Sequence, residues 1–350
     1  MGRTLQELET PSVLIDLDTA ERNIQRMQAR CDSLGLQFRP HIKTHKIPAI
    51  AQMQLQAGAV GIACQKVSEA EVFAEAGFTD IQLPYNIVGK HKTARLAQLA
   101  KSAKVTVTVD SVPVIDGIAK AARAAHATIH MMVELVSLQE RTGTTPENAL
   151  KFARHILGYD DCLHFAGVMI YPTDAAIRPR LQKTLSLFHK AGIEVEMVSG
   201  GGSGAILEAH KVPELTEMRV GTYVFYDWRS VKQNWASFDD CAMTIRATVI
   251  SANDAHRVIL DSGSKTVNSE SLDGLFGYII EYPAAKLHKL SEEHGFVNFS
   301  TCDRLPQVGD VLHIIPVHTC IVTNLHNRVY AVRKGQIEQV YEVAARGLVW

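Results

Sequence analysis

Two lysines and two histidines crowd the segment Pro40-His41-Ile42-Lys43-Thr44-His45-Lys46. An amine that is desolvated or set beside other cations sheds its proton and becomes a Schiff-base nucleophile, and Lys43 is the candidate. Further on, Ser199-Gly200-Gly201-Gly202-Ser203-Gly204 places four glycines in six residues. Backbone N–H groups converge in such a turn and make a nest for a phosphate. The spacing is neither GxGxxG nor a P-loop, so a nucleotide is not indicated. A second glycine turn carrying a hydroxyl follows in Met218-Arg219-Val220-Gly221-Thr222-Tyr223. Late in the chain stands His318-Thr319-Cys320. On a strand, alternation sets that imidazole and thiolate on one face, a donor pair suited to zinc with positions open for water or substrate. Each piece also has an ordinary reading: a solvated basic turn, a flexible loop, a core histidine beside a buried thiol.

The elements that must hold these residues follow a regular beat. Apolar, β-branched runs fall at 36–43, 59–65, 80–85, 104–110, 128–136, 163–172, 195–201 and 218–227, with helical stretches between them. Runs such as VTVTVD and IHMMVELV are near-continuous and apolar, as strands covered on both faces should be. Eight strands alternating with helices predict a (β/α)8 TIM-type barrel rather than an open doubly wound sheet. Chemistry in such barrels sits at the carboxyl ends of the strands, where the lysine-rich run and both glycine turns fall. Among the helices, 18–34 sets Ile24, Met27, Cys31 and Leu34 on one face before Gly35. Ser68 and Glu71 read as a capping box. Thr145, Pro146 and Glu147 open another helix that Gly158 closes.

Past about residue 240 the pattern changes to short strands at 241–251, 256–261, 275–281, 311–315, 319–325 and 328–332. That predicts a second, mostly β C-terminal domain. The division expected is a barrel over 17–238 and a β domain from 1–16 and 239–350 that carries the His318–Cys320 pair.

Composition narrows the class. The 350 residues are 46% hydrophobic and 21% charged, with a formal net charge of -1. That balance gives no reason to expect nucleic acid or an anionic membrane. No apolar run approaches a membrane span, and MGRTLQELETPSVLIDL has acidic residues where a signal peptide would be apolar, so a cytoplasmic protein is expected. Cysteines 31, 64, 162, 241, 302 and 320 stand singly without CxxC pairs, which argues against a disulfide framework.

Taken in order, PHIKTHK after TPSVLIDLDTAERNIQRM, then QKVSEAE, ERTG, SGGGSG, RVGTYVFYD, LDSGSK and the late HTC resemble the D-threonine aldolase and D-serine dehydratase family. This is a branch of the alanine racemase-like fold-type III pyridoxal phosphate enzymes. The resemblance implies that Lys43 takes the place of the lysine that carries pyridoxal 5'-phosphate. It sets Gly201, Gly202, Ser203, Gly221 and Thr222 at the phosphate, with Ser199 and Tyr223 completing the cofactor contacts. Arg219 matches the position facing the pyridine nitrogen, Arg141 the position at the phenolic oxygen, and Tyr171 a tyrosine near the ring. His318 and Cys320 match a divalent-metal pair, with zinc expected first and manganese or magnesium as alternatives. Lys43, Tyr171 and His318 are the implied catalytic residues. The chain departs from the family pattern at Val136, Leu138, Pro172 and Thr173. The implied activity is a pyridoxal phosphate- and metal-dependent lyase acting on small β-hydroxy-D-amino acids, in a homodimer. His-x-Cys goes more with the dehydratases, which eliminate water to give a keto acid and ammonia. His-x-Asp goes more with the aldolases, which release glycine and an aldehyde. Further alternatives are an amino-acid racemase and a non-catalytic cofactor carrier.

Overall fold

Eight parallel strands form one sheet, in the order Gln37–Phe38, Glu217–Arg219, Met197–Gly201, Leu163–Ile170, Ile129–Leu135, Lys104–Val109, Asp80–Leu83 and Ile62–Ala63. A parallel bridge between His41 and Ala63 joins the two ends of that order, with the Ala63 N–H donating to the Pro40 carbonyl at 2.9 Å. The sheet therefore closes into the expected barrel. The structure is a computed structural model that describes residues 4–254 and 256–350; residues 1–3 and 255 of the expected β domain lie outside them. Two compact units emerge. One holds Met27–Lys43, Ile50–Gly221 and Leu348–Trp350; the other holds Met1–Arg26, Thr44–Ala49 and Thr222–Gly347.

In the barrel unit the central strands are covered on both faces: Lys104–Val109 is buried at every position after the lysine, its two threonines included. The helix Pro146–Leu157 forms as read. The Thr145 hydroxyl accepts from the Asn148 N–H, Pro146 takes the first turn, Arg154 and His155 end the last, and Ala149, Phe152, Ala153 and Ile156 face the core. The Ser68–Glu71 capping box does not form. The helix is Val67–Glu75, its N-cap is Lys66 and no side chain caps it. Ser68 lies inside the first turn and gives both its N–H and its hydroxyl to the backbone oxygen of Trp350, while Glu71 pairs with Arg95 at 2.8 Å. Gly167 (φ 141°) sits where the register between two strands shifts, and a Cβ there would collide with the Met197 carbonyl, so only glycine fits.

Charge is also built into the barrel. Arg39, just past the first strand, donates to Glu217 at 2.7 Å and to Asp80 at 2.6 Å, and Arg39 and Glu217 are buried. A buried arginine with two carboxylates keeps its charge: burial opposes it, but Glu217 and then Asp80 hold it above its ordinary pKa.

The other unit is built on a nine-stranded sheet. Ser12–Asp16 pairs antiparallel with Met243–Asp254 and parallel with Arg328–Arg333, so this early strand belongs to the β sheet. Val311–Pro316 pairs with Met243–Asp254 and with Gly277–Ile279. One expected strand, 319–325, is instead the helix Thr319–Leu325. Its β-branched sequence reads as a strand, yet Thr319, Val322 and Thr323 are buried while Ile321 and Leu325 are exposed, which is helical spacing. Tertiary burial overrides local propensity here. Among the described residues no helix is long and apolar enough to cross a membrane.

Candidate active site

The carboxyl end of the first barrel strand turns through the short 3-10 segment Ile42–Thr44. His41 shapes that turn: its N–H donates to the Val220 carbonyl at 3.0 Å, its Nδ1 accepts from the Lys43 N–H at 3.4 Å, and its Nε2 lies 3.1 Å from Gln65 Oε1. The two lysines of the motif separate cleanly. Lys46 is buried and donates to the Ala345 carbonyl at 3.2 Å, a structural contact. Lys43 is half-buried, pairs with no carboxylate among the described residues, and sets its amine 6.0 Å from the centroid of the Tyr171 ring.

Tyr171 is the residue around which the barrel site gathers. It follows the strand Leu163–Ile170, and the Arg141 guanidinium lies over the same ring at 4.8 Å. On another side is Gly201, where an added Cβ would stand 3.3 Å from the Tyr171 ring, 3.0 Å from the Arg219 carbonyl and 3.3 Å from the Arg219 guanidinium. Gly201 donates to the Thr173 hydroxyl at 3.0 Å and Gly202, at φ 120°, to the Arg219 carbonyl at 3.2 Å. The next two N–H groups, of Ser203 and Gly204, donate no hydrogen bond among the described residues, which leaves them for an anion.

Beneath the nest lies Arg219, buried at the end of the last barrel strand. It donates to the Ser199 hydroxyl and to the Ile170 carbonyl at 3.3 Å. Burial pulls its pKa down to about 10 against the attraction of Glu217 and Glu134. Ser199 is fully buried and its hydroxyl donates in turn to Glu217 at 2.5 Å. Its place is thus under Arg219 rather than in the nest. Tyr223 is likewise fully buried. The neighbouring Glu134, which sequence reasoning did not single out, is a buried carboxyl that accepts from Thr142 at 2.8 Å and is raised by burial. An amine without a carboxylate partner, a glycine cradle with two free amides and a buried guanidinium fit a phosphorylated aldehyde cofactor.

In the β unit, His318 is the residue before the helix Thr319–Leu325 and Cys320 lies in its first turn, so the pair stands at a helix start and not on a strand. The pair still meets: the Cys320 thiol is within hydrogen-bonding reach of the His318 ring. Cys320 Sγ also lies 3.3 Å from the Thr44 hydroxyl and 3.8 Å from that of Thr222. Thr44 and Thr222 are the chain neighbours of Lys43 and Gly221. Behind His318, Glu270 Oε2 lies 2.7 Å from Nδ1, and Arg229 donates to Glu270 Oε1 at 2.6 Å. Burial would lower the His318 pKa, but Cys320, Asp227 and Glu270 together raise it to about 9. Among the described residues no group of three or more His, Cys, Asp or Glu side chains is placed to hold a metal. The donor set is therefore two, one imidazole and one thiolate, which fits a divalent ion whose other positions go to water or substrate. Glu270 and Arg229 carried no mark in the sequence, since they are remote from His318 and belong to no motif.

A closed barrel with a strand-end lysine and a glycine nest, joined to a β-rich unit, is the plan of alanine racemase-like fold-type III enzymes. The family model described as alanine racemase, N-terminal domain, matches residues 15–227, and that of a putative serine dehydratase domain matches residues 242–332. A D-threonine aldolase from Arthrobacter sp is 33% identical over 99% of this chain and 95% of its own length. The crystal structure of D-threonine aldolase from Filomicrobium marinum superposes with a TM-score of 0.93 at 31% identity, covering 100% of this chain and 99% of that one. D-threo-3-hydroxyaspartate dehydratase, known from Delftia sp. HT23, has been solved with a histidine replaced by alanine and, separately, with a cysteine two positions later replaced by alanine. That cysteine variant, in the metal-free form, superposes with a TM-score of 0.86 at 28% identity, covering 97% of this chain and 98% of that one. The chain belongs to the alanine racemase-like family of D-threonine aldolases and D-serine dehydratases, and is a lyase of the fold-type III class.

Proposed function

We propose that the protein is a pyridoxal phosphate- and divalent-metal-dependent dehydratase that converts a small β-hydroxy-D-amino acid to a 2-oxo acid and ammonia. The observation that carries this reading is the contacting His318–Cys320 pair. It has the two-residue spacing of the histidine and cysteine replaced in the D-threo-3-hydroxyaspartate dehydratase structures, one of them metal-free. When bound, the cofactor supplies an electron sink that acidifies Cα, and the metal supplies a Lewis acid for the β-oxygen.

The chain's own residues do the rest. Lys43 would hold the cofactor, and its amine would serve as the base for the Cα proton. Ser203, Gly204 and the turn through Gly221 and Thr222 hold the phosphate. Arg219, whose charge Glu217 and Glu134 favour against burial, would donate to the ring nitrogen of the cofactor. Tyr171 and Arg141 flank the ring and fix its plane, which selects the bond held perpendicular to it. His318 and Cys320 would hold the metal, which would supply Lewis acidity at the β-oxygen.

Retro-aldol cleavage is the second reading, and the 33% identity to a D-threonine aldolase and the TM-score of 0.93 favour it. Incubating holoenzyme with D-threonine, D-serine and D-threo-3-hydroxyaspartate, with and without chelator, separates the two. Keto acid and ammonia mean elimination; glycine and an aldehyde mean cleavage. Inversion at Cα, or turnover that chelator leaves untouched, would overturn the metal-dependent lyase reading altogether.

A further inference from the structure

The His318 ring is gripped at Nδ1 by a carboxylate. Glu270 Oε2 lies 2.7 Å from Nδ1, a distance of a strong charge-assisted hydrogen bond. A carboxylate oxygen can only accept, so Nδ1 carries a hydrogen, and Nε2 is the nitrogen that gives up its proton and offers its lone pair when an ion binds. The carboxylate is itself fixed. Its other oxygen takes the Arg229 guanidinium at 2.6 Å, and the Glu270 N–H donates to the Asn268 side chain at 2.6 Å. Asn268, in turn, reaches the His318 carbonyl at 3.5 Å, and the Arg229 N–H reaches the Val317 carbonyl at 3.4 Å. Three segments of one unit, around residues 229, 270 and 318, are thus tied to each other at this ring.

Two consequences follow from the chemistry. Arg229 engages one carboxylate oxygen and His318 the other, so both oxygens of Glu270 are already hydrogen-bonded. The Glu270–Nδ1 bond also removes ring rotation as a degree of freedom, so binding an ion at Nε2 costs less ordering. We propose that Glu270, braced by Arg229, is a positioning residue that presents His318 Nε2 to the metal. This rests on the reading that His318 and Cys320 hold a divalent ion.

The test is zinc affinity, measured on the full-length protein with its cofactor by competition against a chromophoric chelator. Glu270→Ala should weaken zinc binding by about ten- to a hundredfold. Glu270→Gln, whose amide oxygen still accepts from Nδ1, should lose less, and Arg229→Met should fall between wild type and Glu270→Ala. Nitrogen-15 shifts of the zinc-loaded wild type should show His318 protonated at Nδ1 and bound through Nε2. Unchanged zinc affinity in Glu270→Ala, or coordination through Nδ1, overturns the proposal while leaving the metal reading intact. A wild type whose zinc affinity is indifferent to His318→Ala and Cys320→Ala would instead remove the metal reading itself. The spectroscopic arm uses unmutated protein, so a variant that fails to fold does not protect the proposal.

Discussion

Replacing Arg39 with methionine should damage both the barrel and its cofactor site, because one carboxylate links them. Arg39 and Glu217 are both buried, and their 2.7 Å contact is the cationic support of that carboxylate. Methionine fills much of the same volume but leaves Glu217 with only the Ser199 hydroxyl at 2.5 Å. Breaking a buried ion pair by removing one partner costs about 3–5 kcal/mol, most of it the penalty on the charge left behind. Asp80 adds little to the loss, since its side chain is 29% exposed and can be solvated by water. The damage does not stop at the strand. Ser199 stands between Glu217 and Arg219, so a Glu217 that shifts or takes up a proton loosens the guanidinium under the nest. Urea unfolding followed by far-ultraviolet circular dichroism measures the first effect, and the visible absorbance of retained pyridoxal phosphate the second. The double variant Arg39→Met, Glu217→Gln should recover most of the stability, because no buried charge is then orphaned. A single variant that costs less than about 1 kcal/mol, or a double variant no better than the single, would refute the reasoning.

The other predictions concern single residues. Lys43→Ala should abolish cofactor trapping by borohydride while barely changing the urea midpoint, whereas Lys46→Ala should lower the midpoint, since its buried ammonium donates to Ala345. Gly201→Ala should weaken cofactor binding about tenfold or more, measured by fluorescence titration, because the new methyl stands 3.0 Å from a carbonyl and 3.3 Å from the Tyr171 ring. The pH dependence of stability should carry a mark of His130. Burial, then His164 with its ring centroid 4.7 Å away, holds His130 below its ordinary 6.5. The unfolded chain therefore binds the proton first, and stability is lost as pH falls from 6.5 through the folded value. Thermal melts between about pH 7 and pH 5 should show a shallower decline in His130→Asn than in wild type; equal slopes would sink the assignment.

What could be read from the chain alone divides along a physical line. The central barrel strands Lys104–Val109, Ile129–Leu135 and Leu163–Ile170 were legible because they are largely buried, which writes a near-continuous apolar run into the sequence. Lys43, Tyr171 and the glycine turn were legible because strand ends follow once the strands are found. The edge strands Lys286–Leu290 and Gln336–Glu342 were not, since they are polar and largely exposed and little burial marks them. His318 and Cys320 were found but set on the wrong element, because TCIVTNL has strand composition and only its neighbours' packing makes it a helix. Which of the two motif lysines is free was also beyond the sequence, as it depends on Ala345, 299 residues away.

The groups that tune the site were the least legible of all. Glu217 lies 178 residues from Arg39, and Glu270 lies 48 from His318. A hydrogen bond between such residues has no periodicity and no spacing rule, so only the fold brings it into view. Yet these partners decide whether a motif is chemistry or scenery. The same His-x-Cys without a carboxylate behind Nδ1 is a core histidine beside a thiol, and the same Arg219 without Glu217 is a buried charge too costly to keep. On the proposed reading the bond that breaks in the substrate would depend on this outer layer as well, since it would help set the plane of the cofactor ring and the position of the ion.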